Sequence, residues 1–89
     1  MLFMTTWDLP SETRDDAIAR FKETGGMPPQ GVKLLGRWHA VDNSGGVAIC
    51  ETDDAELLAK WSLDWSDLLH MEITPVLDDE AEAKVLGAS

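Results

Sequence analysis

The chain has 89 residues, 17 of them acidic against 7 basic, for a formal net charge of −10. That length gives a single domain, residues 1–89, with a core so small that a disulfide, a metal or self-association usually supplements it. Cys50 is the only cysteine and no Cys/His cluster has zinc spacing, which leaves self-association. The negative charge repels a nucleic-acid duplex, and no basic stripe offsets it; the acidity serves solubility.

The opening run Met1–Trp7 is apolar but has no basic flank, so it is not read as a signal peptide. No apolar stretch approaches the ~20 residues of a membrane span. The expected setting is the cytoplasm, with neither membrane nor nucleic acid as a partner.

Residues 2–7 read as a first strand, aromatic and Thr-rich, with Phe3, Thr5 and Trp7 on one face and Leu2, Met4 and Thr6 on the other. Ser11 is the expected N-cap of a first helix whose buried stripe is Arg14, Ala17, Ile18 and Phe21. Gly25-Gly26 ends that helix, and Pro28-Pro29 keeps it from resuming.

Residues 32–41 read as a second strand. Strict alternation puts Val32, Leu34, Gly36, Trp38 and Ala40 on one face, and Lys33, Leu35, Arg37, His39 and Val41 on the other. Asp42-Asn43-Ser44-Gly45-Gly46 is a hairpin turn, and 46–51 is the third strand. A three-residue loop at Asn43–Gly45 pairs Arg37 with Glu51, and Trp38 with Cys50. It sets bulky Trp38 beside the small residues Ala48 and Cys50 under the helices.

Asp53 and Glu56 resemble a capping box opening a second helix over about 53–63, with Leu57, Leu58, Trp61 and Trp65 at helical spacing. A turn over 64–68 leads to a fourth strand, 69–77, with Met71, Ile73 and Pro75 facing one way and His70, Glu72 and Thr74 the other. Asp78 caps a short terminal helix, 79–86, whose apolar contacts are Ala81, Val85 and Leu86.

The order βαββαβ plus a short helix is the α+β, ferredoxin-like pattern. It implies a four-stranded antiparallel sheet of order 4-1-3-2 with two helices on one face. The other face has no cover within the chain and exposes Leu35, Val47, Ile49, His70 and Glu72, the expected interface of a symmetric homodimer. The runs Gly31–His39, Glu51-Thr52-Asp53-Asp54, Trp65-Ser66-Asp67-Leu68-Leu69 and Thr74-Pro75-Val76-Leu77 resemble the short, mostly bacterial proteins known as domain of unknown function 3303. Gly36-Arg37-Trp38-His39 and Trp-x-Asp-Leu-Leu are the more specific parts. The resemblance covers nearly the whole chain and implies a dimeric α/β-barrel type of ferredoxin-like fold, with no established reaction. His70 stands where such relatives are expected to carry an acidic residue.

The candidate ligand site is Arg37, His39, Glu51 and Trp7. Arg37 clamps an anion and His39 moves a proton near neutral pH, in a cavity between the sheets of two copies. The competing reading is an ion-pair network that fixes dimer register. A metal site from His39, His70 and Glu72 is not expected, because two strands separate the groups by about 14 Å at ~4.8 Å spacing. Cys50 lacks a neighbouring base and reads as an inert buried thiol. No phosphate loop, nucleophile elbow or cofactor motif occurs, so the cofactor expectation is none. The function expected is a homodimeric binding module with a possible small-anion ligand at the open sheet face. The alternative is a cofactor-poor oxygenase or isomerase with His39 as base and Arg37 as anion clamp, an analogy from fold alone.

Overall fold

A computed structural model describes residues 1–87. Its sheet is built on β1 (Leu2–Asp8), which pairs antiparallel with β3 (Gly45–Glu51) on one side and β4 (His70–Val76) on the other. β2 (Lys33–His39) pairs with β3, so the strand order is β2-β3-β1-β4, the 4-1-3-2 order expected, read from the other edge. Helices α1 (Arg14–Thr24) and α2 (Ala55–Trp65) lie on one face, and α3 (Asp79–Val85) follows β4.

The helix ends differ in detail from the sequence expectation. Thr13, not Ser11, precedes α1, and its hydroxyl donates to the carbonyl of Leu68 instead of capping the helix. Gly25 closes α1 in the left-handed region at φ 75°, its N–H donating to the Phe21 carbonyl, as its position foretold. α2 starts after Asp54, not Asp53, because the Asp54 carboxylate accepts from the Glu56 N–H at 3.0 Å. It runs on to Trp65, past the expected end. In α3 the Asp78 carboxylate accepts from Ala81 N–H, but Val85 and Leu86 are exposed and are not the packing contacts expected of them.

The core joins Phe3, Cys50, Leu58 and Trp61, flanked by Val32, Leu34, Trp65, Met71 and Ile73. Phe3 and Thr5 pair with Cys50 and Ala48, so these four share the helix-covered face. Met4 and Thr6 pair with Ile49 and Val47 on the open face. β4 follows suit: Ile73 is opposite Thr5 on the covered side, and Glu72 opposite Thr6 on the open side. These faces agree with the alternation read from sequence.

β2 does not. Lys33 pairs with Glu51 and Leu34 with Cys50, but then Gly36 pairs with Ile49, Arg37 with Ala48, Trp38 with Val47 and His39 with Gly46. A bulge at Leu35 breaks the register between Leu34 and Gly36. One extra residue in a period-two strand exchanges the faces of everything after it. Val32 and Leu34 stay on the core side as expected, while Arg37 and His39 turn to the helices and Gly36 and Trp38 turn to the open face. The expected pairs Arg37–Glu51 and Trp38–Cys50 are thus both wrong. Trp38 is 59% exposed and folds over Gly36 instead of packing on Ala48 and Cys50.

The hairpin accounts for the remainder of the slip. Strand pairing ends at His39 and resumes at Gly45, so the loop is 40–44 and not Asn43–Gly45. Ala40 N–H donates to Gly45, Asn43 N–H donates to Ala40, and the Asp42 carboxylate accepts from both N–H and hydroxyl of Ser44. Asn43 carries the positive φ of 61° that this turn needs.

Candidate functional site

The residues of β3 that face the helices are small: Gly46, Ala48 and Cys50. Ala48 and Cys50 were read as room for Trp38. What they leave is a hollow, because the bulge sends Trp38 to the other face. A cavity of about 430 Å³ opens there, between the sheet and α1 and α2. That volume is in the range of small-molecule sites.

Two rows across the sheet underlie the cavity, and Arg37, Thr5, His39, Trp7 and Met71 of them line it. One runs Arg37–Ala48–Thr5–Ile73 and the next His39–Gly46–Trp7–Met71. Gly46 is required by the second row: a Cβ there would lie 2.3 Å from the Trp7 ring and 2.5 Å from the Trp38 carbonyl oxygen. Phe21 of α1, and Trp61 and Trp65 of α2, close the cavity from above. α1 makes no close backbone approach to the sheet, which is what leaves the space beneath it.

Arg37 is half-buried and fixed at several points. Nη1 donates to the Gly26 carbonyl at 2.6 Å and Nη2 to the Gly25 carbonyl at 2.9 Å, while the guanidinium lies 4.9 Å from the centre of the Phe21 ring. It thus closes the carbonyl end of α1, where a cation is favoured by the helix dipole. No carboxylate pairs with it among the described residues. Burial lowers its pKa from the ordinary arginine value, and Cys50 is the group that acts the other way. A guanidinium has five N–H donors, so the two bonds to α1 leave donors unused.

His39 sits edge-on between Trp7, at 5.5 Å between ring centres, and Phe21, at 5.4 Å. Lys22 of α1 reaches the same cavity. The titratable groups lining it are therefore Lys22, Arg37 and His39, all basic, in a chain with net charge −10. Two buried polar atoms of the lining, Thr5 Oγ1 and Trp61 Nε1, have no hydrogen-bond partner. A buried indole N–H ordinarily finds a partner, and that of Trp61 shows none among the described residues.

Of the residues expected in one site, the structure brings together Arg37, His39 and Trp7. Glu51 is not with them: it pairs with Lys33 and Leu2 at the far end of the sheet, on the open face. The cavity is also not where it was expected, lying under the helices of one chain and not on the open face between two sheets. His70 Nε2 and the Glu72 carboxylate lie 3.6 Å apart, exposed on that open face, the opposite side from His39. No group of three or more potential metal ligands occurs among the described residues. The Cys50 thiol is buried, and its pKa is pushed up by that burial, with the Thr5 hydroxyl and the Arg37 charge acting against the rise. The hydroxyl is near the sulfur but makes no hydrogen bond of proper geometry with it.

Sequence reading missed Phe21, Lys22, Thr5, Trp61 and Trp65 as cavity walls. Phe21 was read as part of a buried helix stripe, and Trp61 and Trp65 as core. The available signal was the run of small residues at alternate positions of β3 opposite so many aromatic rings.

The family model for domain of unknown function (DUF3303) matches residues 1–89, the whole chain. The protein belongs to that family. No curated protein matches the sequence. Membership is consistent with the ferredoxin-like α+β fold and adds no reaction. None of the described helices is long and apolar enough to cross a membrane.

Proposed function

We propose that this protein is a binding module for a small organic anion with an apolar, flat body, held in the cavity between the sheet and α1 and α2. The observation that carries this reading is the charge of the lining. Every titratable group in it is basic although the chain carries 17 acidic residues, and Arg37 has no carboxylate partner among the described residues. An anion brought to Arg37 gains a charge-assisted hydrogen bond in a partly desolvated place. The rings of Trp7, Phe21 and Trp65 offer the flat apolar contact.

The test compares 2-naphthoate with its neutral methyl ester by calorimetric titration at pH 7. The acid is expected to bind at least about tenfold more tightly, since a hydrogen bond to a charged group contributes about 1.5–3 kcal/mol. An ester that binds as well as the acid would sink the anion reading. The acid's advantage should survive Arg37→Lys in part and be lost in Arg37→Gln.

The alternative, a cofactor-poor oxygenase or isomerase with His39 as base, has one observation in its favour: His39 faces the cavity two residues from Arg37. We further infer a homodimer through the open sheet face. Support comes from the apolar side chains gathered there, Met4, Val47, Ile49 and Trp38, next to exposed Leu35, with His70 and Glu72 at the rim. A cytoplasmic setting accords with the single, unpaired, buried cysteine.

A further inference from the structure

The cavity has two polar ends. Arg37 is on β2, and Thr5 is on β1 in the same cross-sheet row, with Ala48 between them. Two strand spacings separate them, about 9–10 Å at ~4.8 Å each. At the Arg37 end a cation lacks an acidic partner. Toward β1 and α2 two polar atoms, Thr5 Oγ1 and Trp61 Nε1, are buried with no hydrogen-bond partner among the described residues, the Cys50 thiol adjoining the Thr5 hydroxyl without a bond of proper geometry. Thr5 is 0% exposed and Trp61 6% exposed, so water does not compensate these atoms from outside. Buried polar groups in folded proteins are nearly always hydrogen-bonded, and the exceptions call for an occupant or a function.

We propose that Thr5 and Trp61 form a second recognition pole, so that the ligand is a flat aromatic anion carrying a hydroxyl or carbonyl oxygen at the end away from its charge. This rests on the reading of the cavity as an anion site. The donor and acceptor inventory suits one oxygen atom. Trp61 N–H can only donate, whereas the Thr5 hydroxyl donates or accepts. A carbonyl oxygen accepts from both. A phenol accepts from Trp61 and donates to Thr5. The Met71 side chain of the cavity wall adds no N–H or O–H donor, and an apolar ligand end placed there leaves both protein atoms unpaired. A site built on buried polar groups discriminates strongly against an analogue that lacks the matching atom.

The probes are 2-naphthoate and 6-hydroxy-2-naphthoate, whose hydroxyl lies across the ring system from the carboxylate. Wild-type protein is expected to bind the hydroxy acid at least about tenfold more tightly in calorimetric titration. In Thr5→Val and Trp61→Phe that preference is expected to shrink below about threefold. The indole N–H resonance of Trp61, assigned by its loss in Trp61→Phe, should move downfield with the hydroxy acid and much less with 2-naphthoate. Equal affinity of the two acids in wild-type protein overturns the second pole and leaves the anion reading standing, because the acid-to-ester comparison is independent of it. An ester as good as the acid removes the anion reading, and failure of both acids to bind at millimolar concentration overturns both. Neither wild-type comparison depends on a variant folding.

Discussion

Gly46 and Gly36 each lie against a tryptophan ring, and they differ in what stands behind it. A Cβ on Gly46 would meet the Trp7 ring at 2.3 Å and, at 2.5 Å, the carbonyl oxygen of Trp38, which is backbone in the adjoining strand and cannot retreat. The three nearest atoms to a Cβ on Gly36 would all belong to the outer edge of the Trp38 ring, the first at 2.5 Å. That ring is more than half exposed and can swing away. Gly46→Ala is expected to destabilise by about 2–3 kcal/mol and Gly36→Ala by less than about 1 kcal/mol, read from urea unfolding midpoints. A larger loss for Gly36→Ala would mean that the Trp38 ring is held in place. Residue chemistry alone also misleads in this stretch. Gly36 and Trp38 look like core and Arg37 and His39 look like surface, yet each pair occupies the other's expected face.

The reason lies in the element, not the side chain. The order of strands and helices, the sheet order and the faces of β1 and β4 were all legible, because those strands alternate without interruption. Their covered positions, Phe3, Thr5, Met71 and Ile73, could be assigned by counting. In β2 counting holds through Leu34 and fails after Leu35. The polar residues Lys33, Arg37 and His39 keep an even spacing in sequence, so the pattern itself gives no warning. The hint was Gly36, since glycine inside a strand often accompanies a bulge. Three of the four residues read together, Trp7, Arg37 and His39, do line one cavity, while their face and the separation of Glu51 were not legible. Elsewhere, α1 is tied to the segment after α2 by Arg20, which donates to both oxygens of Asp67 at 2.9 and 2.8 Å and to the Asp64 carbonyl at 3.0 Å. The hydrogen bonds from Arg20 hold the Asp67 carboxyl below its ordinary pKa. A depressed folded-state value contributes stability that is present above the unfolded value, about 3.9 for aspartate, and is lost as pH falls through the folded value. The melting-temperature gap between wild type and Asp67→Asn should hold constant from pH 7 to 5 and close below about pH 4. A gap that persists at pH 2 would contradict this linkage. The pair is exposed, so the gap should also narrow as salt is added.

At the scale of the molecule, the chain is long and thin. Its extents are 50 × 27 × 16 Å and its radius of gyration is 14.6 Å, against about 12 Å for a compact domain of this length. Leu77, Val85 and Leu86 are exposed along the α3 end, and the open sheet face carries its apolar patch. The proposed dimer would cover the second of these. Light scattering is expected to give about 20 kDa, twice the 9.8 kDa chain. Because each copy carries a formal charge of −10, the pair should tighten as salt rises from 20 to 300 mM. A monomer at 100 μM in 300 mM salt would end the dimer reading.

The two strands at the sheet's margins bear on how far such assembly can go. β2 and β4 are the outer strands, and each is spoiled as a template for another strand: β2 by its bulge at Leu35, β4 by Pro75, which has no N–H to offer. Copies adding edge to edge would build an open-ended ribbon, whereas copies meeting across the open faces consume those faces and leave nothing further to add. The same extra residue that turns Arg37 toward the helices thus also guards an outer margin of the sheet against fibrillar growth.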